Sequence, residues 1–408
     1  MMKRGFLNTK KAARSAERHA PDPLPSKLQP AQANFPIAEV ERALPEYEVP
    51  HIKHAERDPT KKDNSYVFAT IPSKESAGTT PAEYSDNVTE CLFIGPQPTR
   101  AILNTPNFPS HVPRPPMPCH RIGATSTMGL GWFATRDLKM NDVIFAERPL
   151  VVTPVRDNRP IGVAQPGMSA EQRQRALGAM EEYEKVLQGV VERMSVENRA
   201  ALMELANSHT EDGSGPILGV IRTNGFGISF GRKDEVDKDW YSAVHDQLSR
   251  INHSCAPNAS GHFDLASFSS TVRALRDIKK GDEIFVAYCD QKPTTARQQQ
   301  LKPYGFTCMC YSCTDPTSDA LRERISQSVN HLRVHRTDDA ELLKKSIAWM
   351  KTIEKAGMQS LMEYGVHIVA AGRAALAMRR RDEYVRYRRM WSDWHEAIDG
   401  KPPVRMML

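Results

Sequence analysis

The sequence predicts an α+β protein with a mostly β core, a helical insertion and an α-helical C-terminal region. The core is indicated by short β-type runs that glycines and charged turns interrupt, such as HRIGAT, GLGWFAT and DVIFAERPLVVTP after Cys119. Between Ser169 and His209 apolar residues recur with helical spacing, and Ser169 with Gln172 fits a capping box. Helical periodicity returns after Cys313 and continues towards the C-terminus.

These patterns divide the chain into four parts. Residues 1–112 are rich in proline, charge and small polar side chains, and we expect them to be mostly disordered. The apolar piece Cys91–Gly95 within them has two open interpretations, a docking segment or a strand. Residues 113–290 form the predicted mostly β domain, with the helical insertion at about 168–215. A short cysteine-bearing segment at 291–314 and the helical region at 315–408 follow.

Composition excludes several classes of protein. The chain has 408 residues, of which 40% are hydrophobic and 25% charged, with a net charge of +6. No stretch is apolar enough to cross a bilayer or to act as a secretory signal, so we expect an intracellular protein of the nucleus, the cytoplasm or both. The modest charge does not indicate nucleic-acid binding. Basic clusters at 1–20 and 379–389 are interpreted as solvated surface, with a targeting address as the alternative for the first. A monomer is the default expectation.

The spacing of the cysteines indicates a zinc site. Cys308, Cys310 and Cys313 follow the pattern C-x-C-x2-C, which leaves a tetrahedral site one ligand short. Cys255 is the candidate for the fourth thiolate. Seven cysteines without an export signal make a disulfide framework the weaker interpretation. The cysteines that follow no ligand spacing are Cys91, Cys119 and Cys289.

Three distant segments, taken together with this cysteine pattern, resemble the SET-domain lysine methyltransferases. The segments are Gly129-Leu130-Gly131-Trp132, the stretch from Asn252 to Asn258, and Gly281-Asp282-Glu283-Ile284 leading to Tyr288. The resemblance runs from about residue 118 to 314 and includes the zinc-binding post-SET segment. It implies small sheets with a pseudoknot-like arrangement around the Asn252 segment.

The helical insertion and the helical tail are most similar to the SET-and-MYND group. In that group the insertion contains a cysteine-rich MYND zinc module, whereas residues 156–216 contain no cysteine here. The chain therefore resembles a relative of the group that lacks the module, and peptide recognition by MYND is not transferable to it.

The resemblance implies an S-adenosylmethionine-dependent protein-lysine N-methyltransferase that binds Zn²⁺ and acts on a lysine-containing segment of a histone or another protein. It assigns catalytic roles to Tyr288, whose hydroxyl would orient the lysine nitrogen, and to Tyr304. The positions that match family cofactor contacts are Gly129, Leu130, Gly131, Trp132, Asn224, Asn252, His253, Tyr288 and Phe306. The implied zinc ligands are Cys255, Cys308, Cys310 and Cys313.

Each assignment has a structural alternative. A Gly-x-Gly in a hairpin is often only a tight turn, and Asn224 before a glycine is typical of a turn. Tyr288 at a strand end would ordinarily be a core aromatic residue, while Tyr304 and Phe306 would pack under a zinc loop. For the whole chain, the alternatives are a catalytically silent SET scaffold and a zinc-stabilised nucleic-acid binder that uses residues 379–389.

Overall fold

The computed structural model describes residues 66–72, 88–155, 168–230, 240–333 and 338–403. Within these ranges the strands are β1 (Tyr66–Ile71), β2 (Thr89–Ile94), β3 (His120–Ala124), β4 (Leu130–Ala134), β5 (Val143–Glu147), β6 (Val151–Val155), β7 (Phe226–Ser229), β8 (Trp240–Val244), β9 (Asn252–His253), β10 (Ala259–Asp264), β11 (Ser269–Ala274) and β12 (Glu283–Val286). The α-helices are α1 (Gln97–Leu103), α2 (Ala170–Glu192), α3 (Val196–Met203), α4 (Pro216–Asn224), α5 (Thr294–Leu301), α6 (Tyr311–Thr314), α7 (Ser318–Gln327), α8 (Asp339–Lys355), α9 (Met362–Ala377) and α10 (Arg381–Asp399). None of the helices in these ranges is long and apolar enough to span a membrane.

The strands of the described residues form three small sheets. One has the strand order β1-β2-β6-β8-β7, the second β10-β11-β5, and the third β3-β4-β12-β9. Helices follow β12 through the remaining described part of the chain. The predicted α+β class with small sheets and a helical C-terminal region is therefore confirmed.

The sheet that contains β12 brings two of the predicted motifs together. On one side β12 pairs antiparallel with β4, placing Ile284 opposite Trp132. On the other side it pairs in parallel with β9, placing Val286 opposite His253. Because β12 lies between them, the glycine-containing turn before β4 and the Asn252–His253 strand lie in one sheet.

Ordered structure begins before residue 113. Two strands, β1 and β2, and the helix α1 lie in the region predicted to be mostly disordered, and the prediction is wrong for these elements. β1 pairs antiparallel with β2, and β2 pairs in parallel with β6. Leu92 and Phe93 are fully buried, so Cys91–Gly95 is mainly strand. These strands are too short, and too isolated among polar residues, to give the sequence a sustained period. The rest of the region predicted to be disordered, residues 1–65 and 73–87, lies outside the described residues.

The helical insertion begins with the predicted capping box. The Gln172 amide donates to Ser169 Oγ at 3.2 Å, and the Ser169 amide donates to Gln172 Oε1 at 2.9 Å. The buried Glu184 carboxylate of α2 accepts the amides of Ile217 and Leu218, both at 2.8 Å, at the start of α4. These bonds satisfy amides that have no partner inside a helix. The insertion extends to α4, beyond the predicted end near residue 215.

The C-terminal helices form a separate apolar core and contact the sheet of β10, β11 and β5. Trp394 of α10 is fully buried against α9. Glu396 of α10 forms an ion pair with Arg273 at 2.9 Å, and His262 Nε2 donates to the Ala397 carbonyl at 2.8 Å. The helical tail is therefore packed against the sheet of β10, β11 and β5.

We predict that Gly365→Ala destabilises this tail, whereas Gly178→Ala does not. A Cβ at Gly365 would lie 2.1 Å from the Trp394 ring, whereas one at Gly178, in α2, meets nothing within 4 Å. Overpacking at Gly365 should cost about 1–3 kcal/mol. Replacement of the open helical glycine should stabilise by about 0.5–1 kcal/mol. Urea unfolding checks both values, and a Gly365→Ala chain as stable as the parent would contradict the packing.

Candidate active site and metal centre

The two glycines of the β3–β4 turn have different structural roles. Gly129 has a φ of +72°, and its carbonyl accepts the Thr125 amide at 2.6 Å, so it is a turn glycine. At Gly131 an added Cβ would lie 2.4 Å from Glu283 Oε1 and 2.7 Å from Asn252 Nδ2. The missing side chain at Gly131 therefore leaves room for the Asn252–Glu283 pair.

The other two residues of this turn motif contribute their side chains to the core. Trp132 is fully buried, stacks on His120 with ring centroids 3.8 Å apart, and donates from Nε1 to the Gln247 carbonyl at 3.0 Å. Leu130 is buried as well. Their predicted cofactor contacts are thus left to backbone atoms.

Asn252 offers a buried acceptor with no partner. Its Nδ2 donates to Glu283 Oε1 at 2.7 Å, which fixes the orientation of the amide. Asn252 is fully buried, and its Oδ1 has no hydrogen-bond partner within the described part of the chain. A buried unpaired acceptor is costly, by about 1–3 kcal/mol, so a ligand that donates a hydrogen bond there would be favoured. This observation fits a cofactor that carries an ammonium group.

His253 connects Tyr288 to a cysteine of the predicted metal site. The Tyr288 amide donates to His253 Nδ1 at 3.0 Å, and His253 Nε2 lies 3.3 Å from Cys255 Sγ. Burial lowers the pKa of His253 to about 4, so the ring is neutral at pH 7. Its Nδ1 thus faces the Tyr288 amide, while its Nε2 faces the cysteine sulfur.

Tyr288 lies in a cluster of aromatic rings whose first and last members, His253 and Phe306, are 53 residues apart in sequence. Its ring centroid is 5.0 Å from that of His253, 5.5 Å from that of Tyr304 and 6.4 Å from that of Phe306. Tyr288 is 1% exposed, and its hydroxyl donates to the Ile251 carbonyl. The hydroxyl proton is therefore directed to a backbone carbonyl at the centre of the cluster.

The four predicted metal ligands converge. The Sγ atoms of Cys255, Cys308, Cys310 and Cys313 all lie within 4.8 Å of one another. Cys255 Sγ is 4.0 Å from Cys308 Sγ and 3.5 Å from Cys313 Sγ, and no disulfide joins them. A tetrahedral zinc with Zn–S bonds of about 2.3 Å separates its sulfurs by roughly 3.8 Å. The donor set and its spacing therefore fit zinc.

The surroundings hold these sulfurs in place. Gln298 of α5 donates from Nε2 to the Cys308 carbonyl at 2.9 Å, and the Cys308 amide donates to Gln298 Oε1 at 3.0 Å. Hydrogen bonds from the other three thiols lower the pKa of Cys310, which favours its thiolate form. Cys289 is buried as expected, although its sulfur lies only 3.9 Å from His253 Nε2, a proximity that the cysteine spacing did not reveal.

Asn224, predicted to contact a cofactor, is held inside the helical insertion. Its Nδ2 donates to the carbonyls of Ala206 and Val220 at 2.6 and 2.8 Å. The adjoining Thr223 hydroxyl lies 3.0 Å from Ser208 Oγ, which donates to the Pro303 carbonyl at 3.1 Å. The end of α4 is thereby linked to the segment that carries Tyr304.

Sequence reasoning missed three side chains that build the site. Glu283 orients Asn252, as described above. Asn258 brackets β12, because its Nδ2 donates to the Glu283 carbonyl at 2.8 Å and its Oδ1 accepts the Phe285 amide at 2.7 Å. Gln298 clamps the zinc loop. Glu283 and Asn258 belong to the segments that carry the family resemblance, but the identity of a single polar residue does not reveal its hydrogen-bond partner.

Comparison with known proteins identifies the class of the core. Residues 129–289 match the SET domain family, so this part of the chain is a SET domain. The chain is similar to histone-lysine N-methyltransferase set5 of Schizosaccharomyces pombe, with 26% identity over 61% of this chain and 64% of that protein. It is also similar to N-lysine methyltransferase SMYD2 of Rattus norvegicus, with 33% identity over 32% of this chain and 30% of that protein.

The chain thus spans less than two thirds of the length of these curated relatives. Among solved structures, the SET domain of LSMT bound to lysine and AdoHcy aligns with 57% of this chain and 64% of its own, at 13% identity and a TM-score of 0.26.

We predict one zinc ion per chain, which Cys310→Ser loses and Cys119→Ala keeps. The first change removes one of the four converging sulfurs, whereas Cys119 lies in the core with its sulfur 3.3 Å from the Ile144 carbonyl. Elemental analysis by mass spectrometry after gel filtration measures the ratio. Full zinc retention in Cys310→Ser would contradict the assigned ligand set.

Proposed function

We propose that the chain is a protein-lysine N-methyltransferase that uses S-adenosylmethionine. The observation that carries this proposal is the convergence of Asn252, His253 and Tyr288 on β12 of a SET domain, beside Tyr304 and Phe306. The similarity to set5 and SMYD2, which are lysine methyltransferases by name, supports the same activity.

The residues present suit the amino-acid end of such a cofactor. The Asn252 Oδ1 is a buried acceptor oriented by Glu283, and an ammonium group would satisfy it. Gly131 lies beside the Asn252 amide, and Phe306, whose ring centroid is 6.2 Å from that of His253, would offer an aromatic face to the purine. When bound, the cofactor supplies an electrophilic methyl group on its sulfonium.

The lysine must reach the site as the neutral amine. A free lysine has a pKa near 10.4, so its deprotonation at pH 7 costs about 4.6 kcal/mol. The aromatic rings of Tyr288, Tyr304 and Phe306 would exclude water and so disfavour the lysine ammonium. Cation–π attraction of the ammonium to the ring faces offsets part of this effect. The side chains of the site thus make the lysine a better nucleophile as it enters.

Tyr288 acts in this proposal as an orienting group. Its hydroxyl donates to the Ile251 carbonyl, and its oxygen would accept an N–H of the lysine and so orient the nitrogen lone pair. The backbone amide of Tyr288 donates to His253 Nδ1, which fixes the backbone that carries the ring. A reference pKa near 10 leaves little phenolate at pH 7, so Tyr288 is not a strong base.

We predict that Tyr288→Phe slows methyl transfer while cofactor affinity changes little. Loss of one orienting hydrogen bond should lower kcat about 10- to 100-fold. The matched control is Tyr241→Phe. Tyr241 is also fully buried, and its hydroxyl accepts the Ile94 amide in a hydrogen bond of 3.3 Å, in a different sheet from the site. Transfer of labelled methyl groups to lysine-bearing proteins, with calorimetry for the cofactor, measures both quantities. A Tyr288→Phe chain with unchanged kcat would overturn the assigned role.

We also predict that Gly131→Ala weakens binding of S-adenosylmethionine about tenfold or more, because the new Cβ displaces the Asn252–Glu283 pair. Gly123→Ala is the control in the same hairpin, opposite Gly131 in register. There the new Cβ meets only the mobile end of Arg121 closer than 3.5 Å. Calorimetric titration compares the two, and equal affinities would exclude the pair from the cofactor site.

A further inference from the structure

Two buried arginines flank the four sulfurs. Arg297 of α5 is fully buried, with Nη2 donating to the Ser312 carbonyl at 3.0 Å and lying 3.7 Å from Cys313 Sγ. Arg322 of α7 is 8% exposed, and its Nη2 donates to the Cys255 carbonyl at 2.7 Å. Each guanidinium group thus donates to a backbone carbonyl of a predicted metal ligand or of the residue next to one.

Their charges are incompletely matched by carboxylates. Arg297 Nη1 lies 3.2 Å from Asp319 Oδ1, but the Asp319 side chain is 40% exposed and therefore screened by solvent. For Arg322, no carboxylate in the described ranges lies within the 4.0 Å of an ion pair. Arginine is almost never buried unless an anion accompanies it.

A zinc ion held by the four sulfurs would supply the missing negative charge. One Zn²⁺ bound by four thiolates carries a net charge of about −2, which two guanidinium groups balance. The charge of the centre and the charge of the arginines therefore stabilise each other.

We propose that Arg297 and Arg322 are positioning residues that compensate the charge of the four-thiolate zinc centre, and that Arg322 thereby makes attachment of α7 to the SET domain dependent on the metal. This inference rests on the proposed zinc ligation. Helix α7 is the first helix of the C-terminal region after the zinc loop, and Ile325 on it belongs to the apolar core of that region. Zinc thus links the helical tail to the site.

The first experiment measures the rate at which the zinc-loaded full chain releases its metal to an excess of a colorimetric chelator. We expect Arg322→Met to release zinc about tenfold faster or more, because one charge-assisted interaction is lost. Arg322→Lys should fall between Arg322→Met and the parent, since it keeps the charge. The matched control is Arg324→Met, on the exposed side of the same helix, which should release zinc at the parental rate. An Arg322→Met chain with the parental release rate would overturn the inference.

The second experiment needs no variant. Hydrogen exchange is compared in the parent chain before and after chelation, with zinc content verified by elemental analysis. Faster exchange over Ser318–Gln327, with little change in Met362–Ala377, is expected. Equal exchange of α7 in the two states would refute the link even if zinc is bound. A parent chain that binds no zinc would refute the zinc ligation itself, while methyl-transfer assays test the proposed activity separately.

Discussion

The convergence of four cysteine sulfurs within 4.8 Å is the constraint on which the rest of the site depends. Three of these sulfurs come from the loop after Tyr304, and the fourth comes from the segment that follows β9. A metal bound there joins two segments that are more than fifty residues apart in sequence. It fixes the position of Phe306, between Tyr304 and Cys308, relative to His253. Metal binding can supply on the order of 10 kcal/mol to such a short loop, more than its own few apolar contacts provide.

His253 contacts both the metal ligand Cys255 and the candidate active-site residue Tyr288. The neutral ring accepts from the Tyr288 backbone amide on one side and faces Cys255 Sγ on the other. The side chain that the sequence assigned to cofactor contact therefore also supports the tyrosine and the metal ligand. Hydrogen bonds to a metal ligand or to a site residue set the orientation of the groups that they contact. Arg297 and Arg322 surround the same centre with positive charge and extend its influence to α7.

Much of this arrangement was predictable because it rests on residue types with few alternatives. Thiolates at C-x-C-x2-C spacing require one more ligand, and Cys255 stood in a motif whose neighbours suited a cofactor. The pairings between polar side chains were not predictable. Gly131 indicated close approach to a ligand, whereas in the structure it makes room for Asn252 and Glu283. Strand β1 was missed, and β2 was only one of two interpretations of Cys91–Gly95, since two short strands within a polar region produce no sustained hydrophobic period. Arg322, which has no ion-pair carboxylate within the described part of the chain, becomes informative only once its burial is known.

Cofactor binding depends, in this proposal, on an intact metal centre, and one calorimetric comparison tests this dependence. S-adenosylmethionine is titrated into the full chain loaded with zinc and into the same chain after its zinc has been removed, with circular dichroism to follow the helices. We predict saturable one-to-one binding to the zinc-loaded chain, and loss of most of that affinity in the stripped chain while its helical signal is largely retained. Equal affinity in the two states, with metal removal verified, would contradict the dependence of the site on the four-sulfur centre.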